Sequence, residues 1–308
     1  MPFRFSGHET FPCRYAWLPK AHAAVVEDCM AFADDEAAMI RLGVGKNMVR
    51  AVRFWMQAAL VASPLAKGGG YKATAFGDAL LREGGLDPYL EDIRTLWLIH
   101  WNISTHVEEP LFAWDFLLNN WSNPDLTRSA ALVAFRKEAA RQERQLSEVT
   151  LEQHFDTFLH TYVPTRSRKA EIQEDTLDCP LVELELLQKI GERAPDGDGR
   201  REAIYAFRRE EKPEITSALF AYCLADFSQK RRASERTLTF KDVAFGHGSP
   251  GQVLKLPEWD IRQRLENIAD ETNGYFRYTE SAAMQRVLIE EGPPPNFLEA
   301  IYEGGVRC

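Results

Sequence analysis

Cysteine is scarce in this chain. The five cysteines among 308 residues (Cys13, Cys29, Cys179, Cys223 and Cys308) are scattered and form no Cys-x-x-Cys pair. An odd, dispersed set argues against a disulfide framework and a structural zinc site, and predicts buried reduced thiols for most of them. Long apolar runs are missing too. None approaches the ~18 residues that a membrane helix needs, and the opening MPFRFSGHETF offers no signal-peptide core. A soluble, cytoplasmic protein with no membrane partner is expected. A phosphate-binding loop is also absent: GVGKN has Ile40 where the first glycine should stand and Asn47 where Ser or Thr should meet magnesium.

The most informative absence is of acid. The chain has 46 Asp and Glu against 37 Lys and Arg, a net charge of −9, yet no Asp or Glu occurs from Ala37 to Gly77. That window holds Arg41, Lys46, Arg50, Arg53, Lys67 and Lys72. The overall balance argues against a protein that coats nucleic acid with its whole surface. Screening over about 8–10 Å makes the local patch decisive instead. From Val44 to Leu60 the pattern is an amphipathic helix, with Met48, Val52, Trp55, Met56 and Ala59 on one face and Lys46, Arg50 and Arg53 on the other. Such a stripe suits a phosphate backbone, and it also suits a solvated helix face.

Around this window the reading is helical. Trp17 to Phe32 is expected as a first helix, with His8 or Glu9 capping it and Arg14 pairing with Glu9. Asp34, Asp35 and Glu36 open a second helix, where acids favour the positive end of the dipole, and Gly43 closes it. Two helices joined by a tight glycine turn, the second basic, have helix-turn-helix spacing. A hairpin over residues 63–74, carrying Lys67 and Lys72, would be the wing. Ile93 to Ile103 is apolar all round and predicts a buried central helix. Helices are also expected from Pro180, over Glu214 to Lys230 and over Glu258 to Thr272, with strands near residues 202–209, 237–240 and 274–279. The fold class is therefore mainly α with small β elements (α+β). It divides into a winged-helix-like unit with a helical extension over 1–162 and a second helical, small-sheet domain over 163–308, joined by the polar stretch Val163 to Glu174.

Catalytic candidates are fewer. His8 and Glu9 sit among Arg4, Arg14 and Lys20, a setting for acid/base or metal chemistry as well as for capping. Asp87, Glu91 and Asp92 bring three carboxylates close in sequence; paired carboxylates can hold magnesium or manganese for phosphodiester cleavage, and acids there also stabilise a helix N-terminus. The candidate catalytic residues are thus His8, Glu9, Glu91 and Asp92, and the candidate DNA contacts are Lys46, Arg50, Arg53, Lys67 and Lys72. His106-Val107-Glu108 lacks the cysteines of a zinc deaminase, and Asp196-Gly197-Asp198-Gly199 lacks the later calcium ligands. Asp196 followed by Glu210-Glu211-Lys212 is a weak match to a metal-dependent nuclease. A further basic run, Lys230, Arg231, Arg232, Arg236 and Lys241, would extend a DNA track or form an exposed loop.

The segments FSGHETFPCRYAWLPK, LGVGKNMVRAVRFW, DPYLEDIRTLWLIHWNI, EDTLDCPLVELELL and SPGQVLKLPE resemble the family of proteins of unknown function numbered 4007, over nearly the whole chain. That resemblance implies a component of bacterial single-strand DNA phosphorothioation systems, acting in DNA modification and antiphage defence beside a cysteine desulfurase, an ATPase and a sulfur-transferring enzyme. It further implies a DNA-nicking role, for which the carboxylate candidates above would hold a divalent metal, Mg or Mn. A non-enzymatic DNA-binding adaptor and a winged-helix transcriptional regulator are the alternatives.

Overall fold

The computed structural model describes residues 3–142, 146–164, 179–194, 201–281 and 284–303. Three helices come first: α1 (Trp17–Glu27), α2 (Asp35–Leu42) and α3 (Lys46–Ala58). Asp34 caps α2 by accepting from the Ala37 N–H, and Gly43 ends it at φ 67°, a left-handed turn that glycine adopts at low cost. After α3 the chain forms a hairpin of β1 (Ala62–Pro64) and β2 (Tyr71–Ala73), antiparallel, with Ser63 opposite Lys72. The turn passes through Gly68 (φ 90°) and Gly69 (φ 72°). Then α4 (Ala75–Leu81) begins at a Thr74 cap. A Cβ on Gly77 would lie 2.2 Å from the Val61 carbonyl, so only glycine lets α4 sit this close to the root of the hairpin.

Helix α5 (Ile93–Ser104) is buried from Thr95 to Ser104, as its apolar run requires. The aromatic block that follows is α6 (Phe112–Asp115) running into a π-helical turn, Phe116–Asn120; α7 (Arg128–Arg141) and α8 (Glu148–Tyr162) cover it. The helix expected from Pro180 is instead one 3-10 turn, Pro180–Leu184, stopped by Glu185 in the left-handed region (φ 45°). The chain then enters β3 (Leu187–Arg193), paired with β4 (Glu202–Phe207). Leu181, Leu184, Leu186 and Leu187 are all buried without a continuing helix, so tertiary packing overrides their helix propensity. Next come α9 (Ser217–Arg231), β5 (Thr237–Thr239), α10 (Phe240–Phe245), α11 (Pro250–Val253) and α12 (Glu258–Glu271). The order ends with β6 (Phe276–Glu280), β7 (Gln285–Ile289) and α13 (Phe297–Tyr302), and the sheet order is β5-β7-β6.

The fold is α+β, mostly helical, with three small antiparallel sheets. One apolar cluster runs from Phe5 to Ile301. Polar bonds cross it: Trp101 Nε1 donates to Asp226 (2.7 Å) and Lys255 Nζ to the Leu118 carbonyl (2.6 Å). His100 is fixed at both nitrogens. Its Nε2 must donate to the Val253 carbonyl (2.9 Å), so Nδ1 accepts from the Tyr162 hydroxyl (2.7 Å). Burial pushes the His100 imidazole down to about 4. Among the described residues no helix is long and apolar enough to cross a membrane. The stretch from Val163 to Glu174 lies outside them beyond Pro164, as do Asp196 to Gly199.

Candidate nucleic-acid interface

The basic stripe of α3 is organised by one carboxylate. Val49, Val52, Phe54, Trp55 and Met56 turn inward, Met48 is only partly buried at the helix start, and the cations face out. Lys46 Nζ (3.9 Å), Arg50 Nε (3.5 Å) and Arg53 Nη2 (2.7 Å) all converge on Asp35, in the first turn of α2. The Arg53 hydrogen bond, reinforced by the charges of Arg53, Arg50 and Lys46, holds the Asp35 carboxyl below its usual range. The three cations are not equivalent. Arg53 also donates to the Phe32 carbonyl (2.8 Å), so it ties α3 to the segment before α2. Lys46 and Arg50 remain about half exposed, with heads free to turn toward a ligand. Arg41 is paired with Glu27 and Asp28 and so is removed from the face.

The hairpin continues the same surface. Its Tyr71 N–H donates to the Cys29 carbonyl (2.8 Å), and the Tyr71 ring meets Phe32 edge-on. Residues 29–32 are therefore gripped on one side by the hairpin and on the other by Arg53. Lys67 at the turn and Lys72 on β2 are exposed and form no ion pair among the described residues. The face thus gathers three cations around one carboxylate, with Lys67 and Lys72 exposed on the adjoining hairpin.

The other candidates lie elsewhere. His8 is buried against His154 and Phe54. Its Nδ1 accepts from the Thr10 N–H (3.1 Å) and lies 3.2 Å from the Thr157 hydroxyl, so Nε2 carries the proton and donates to His154 Nδ1 (3.0 Å). That leaves the His154 Nε2–H buried without a hydrogen-bond partner among the described residues, in a ring packed with Phe112 and Trp114. Burial, with help from Arg4, lowers His8 to about 4, so it is neutral at pH 7. The expected cap and the Glu9–Arg14 pair do not form. Gly7, Glu9 and Thr10 all have positive φ, which turns the chain away from α1, and Arg14 stacks on Trp17 instead.

Asp87 accepts from the Glu91 N–H (2.9 Å) and the Asp92 N–H (3.1 Å). Asp92 caps α5 and is bound by Arg94, which also donates to the Ile301 carbonyl (2.6 Å). Burial works to raise the Asp92 carboxyl, and the Arg94 bonds and charge outweigh it, leaving it below its usual range. Glu91 is exposed. Among the described residues no hydrogen bond or ion pair joins His8 or Glu9 to Glu91 or Asp92. Among the described residues no three His, Cys, Asp or Glu side chains converge as metal ligands. With Asp87 and Asp92 already engaged, this group does not fit a divalent ion. Lys212 of the nuclease-like pattern is fully buried, its Nζ held by the carbonyls of Arg208, Glu210 and Lys255.

The later basic run is mostly spent on local pairs. Lys230 bonds Asp226, Arg232 bonds Glu235 and Asp242, and Arg236 bonds Glu291. Among the described residues Arg231 forms no ion pair, and Lys241 acts on Asp242 through its charge alone. One arrangement that sequence reasoning missed lies beside Arg231: His247 Nε2 contacts Asp115 Oδ1 at 2.7 Å, across 132 residues. Its only local signal is a lone histidine in the glycine-rich GHGSPG.

The chain belongs to the family described as Protein of unknown function (DUF4007), whose profile matches residues 5–302. No curated protein matches it by sequence. Its fold is similar to that of SspB. A crystal structure of magnesium ion-bound SspB has a TM-score of 0.79 and 25% identity, over 96% of this chain and 85% of that one. A second SspB crystal structure has the same TM-score and coverage at 24% identity.

Proposed function

We propose that this protein is the DNA-binding component of a cytoplasmic DNA phosphorothioation and antiphage defence system, and that it nicks one strand so that sulfur can be incorporated. The observation that carries the reading is the face built by α2, α3 and the hairpin, read as a winged helix with Lys46, Arg50, Lys67 and Lys72 as phosphate contacts. Arg53 holds that face together. Membership of the family and similarity to SspB support the wider setting, with a cysteine desulfurase, an ATPase and a sulfur-transferring enzyme as partners. The test is a nicking assay on supercoiled plasmid with Mg or Mn, beside a binding titration. Conversion to open circle is expected from the wild type.

A second reading is an adaptor that binds DNA and recruits the sulfur-transfer machinery. It is favoured by the engagement of Asp87 and Asp92 in backbone and Arg94 bonds. Binding without nicking, together with capture of the partner ATPase, would select it.

A further inference from the structure

We infer that His247 is a proton-transfer group acting on a phosphodiester, positioned by Asp115 and flanked by Arg231. This rests on the nicking reading above. The loop that carries His247 is built to hold it. A Cβ on Gly246 would lie 2.3 Å from the Asp242 carbonyl, and one on Gly251 would lie 2.3 Å from the Ala244 carbonyl. Gly248 stands at φ +74°. Two bonds fasten this loop to the end of α6 and the π-helical turn that continues it: His247 to Asp115, and the Gly248 N–H to Asn119 Oδ1 (2.7 Å). The same turn is held from below by the buried Lys255 on the Leu118 carbonyl. Single π turns recur at functional sites, because the extra residue re-aims side chains.

The burial is asymmetric in the useful sense. The Asp115 side chain is 4% exposed and that of His247 is 42% exposed. The carboxylate accepts from Nε2–H, which fixes the tautomer and leaves the Nδ1 lone pair free. The other histidine–aspartate pair has the opposite sense: His22 is buried and Asp78 is half exposed. His8 and His100 have both ring nitrogens engaged inside the core. Arg231 supplies the anion contact. Its guanidinium packs on Gly248, with Nε 2.9 Å from the place a Cβ would take, and among the described residues it forms no ion pair, while Lys230 and Arg232 are paired. A guanidinium with unused donors suits two phosphate oxygens.

The step is hydrolysis. His247 Nδ1 takes a proton from water, and the water oxygen forms the new bond to phosphorus. The bond from phosphorus to the leaving ribose oxygen breaks with its electron pair, and the imidazolium returns the proton to that oxygen. Arg231 binds the non-bridging oxygens throughout. Asp115 is a positioning residue.

The experiment uses the full-length protein in the plasmid nicking assay, with DNA binding followed separately by fluorescence anisotropy. His247→Ala is expected to lose at least about a hundred-fold in turnover, to keep its DNA affinity, and to regain activity in added imidazole. Arg231→Ala is expected to raise KM, and Asp115→Asn to lower kcat with KM unchanged. If His247→Ala nicks like the wild type, or loses activity that imidazole does not restore, the assignment is overturned and the nicking reading stands. If the wild type binds DNA and does not nick it, both the nicking reading and this assignment fall, and binding survives. If it neither binds nor nicks, all three fall.

Discussion

The double variant Lys46→Ala/Arg50→Ala isolates the DNA contacts from the fold. Both side chains are about half exposed and touch Asp35 only loosely, so their loss costs within about 0.5 kcal/mol of stability. Arg53 is unsuitable for this purpose, because its removal strands the Phe32 carbonyl and the Asp35 carboxylate. Each neutralised phosphate contributes about 0.9 to the slope of log affinity against log salt. Four contacts, from Lys46, Arg50, Lys67 and Lys72, give a slope of about −3.6, and the double variant falls to about −1.8. Raising salt from about 50 to about 200 mM then weakens the wild type about 150-fold and the variant about 12-fold. Anisotropy of a short labelled duplex over a salt series reads both slopes directly, with thermal midpoints as the control on folding. Equal slopes in the two proteins, with folding intact, would refute the basic face as the DNA contact.

Three further outcomes concern the fold. Stability should drop as pH falls from 6.5 toward 4, because His8 and His100 are held at about 4 in the folded state and titrate near 6.5 when unfolded. The unfolded chain binds those protons first, each site contributing about 3 kcal/mol that is present above 6.5 and lost on acidification; a urea midpoint that stays flat between pH 7 and pH 5 contradicts this. Gly77→Ala drives a methyl group into the Val61 carbonyl and should cost at least about 1–3 kcal/mol, seen as a lowered urea midpoint; an unchanged midpoint would mean that α4 can shift freely. Arg94→Ala removes the bond to the Ile301 carbonyl and the contact with Tyr302, so amide exchange in α13 should quicken while α3 stays protected. Unaltered protection of α13 would show that Arg94 does not hold it.

What could be read from the chain was what depends on neighbours in sequence. The Asp34 cap, the Gly43 stop, the run of three glycines before Tyr71 and the all-round apolar α5 each announce themselves within a few residues. The α+β class follows from them. Strand β3 misled because leucine and glutamate favour helix locally, while burial of a leucine cluster ended the helix after one turn. β7 and α13 went unnoticed, being short and flanked by prolines and acids. At the candidate sites the same division holds. The cations on α3 were visible from their spacing, and their shared carboxylate was not, since Asp35 belongs to another helix. His8 was noticed for its charged neighbours and proved to be determined by His154, 146 residues away. Asp115 and His247 had no common signal at all.

Asp35 also bears on timing. Lys and Arg side chains each lose about 2 kcal/mol of rotamer freedom when fixed; Asp35 already fixes Arg53 and draws Lys46 and Arg50 loosely toward the same point. Replacing it with asparagine would raise the positive potential that draws a polyanion in, and so quicken the encounter. The same change would release the three heads, leaving them to be ordered only as the complex forms and shortening the lifetime of that complex. On the proposed DNA-binding reading, one carboxylate sets arrival against residence, slowing the first to lengthen the second.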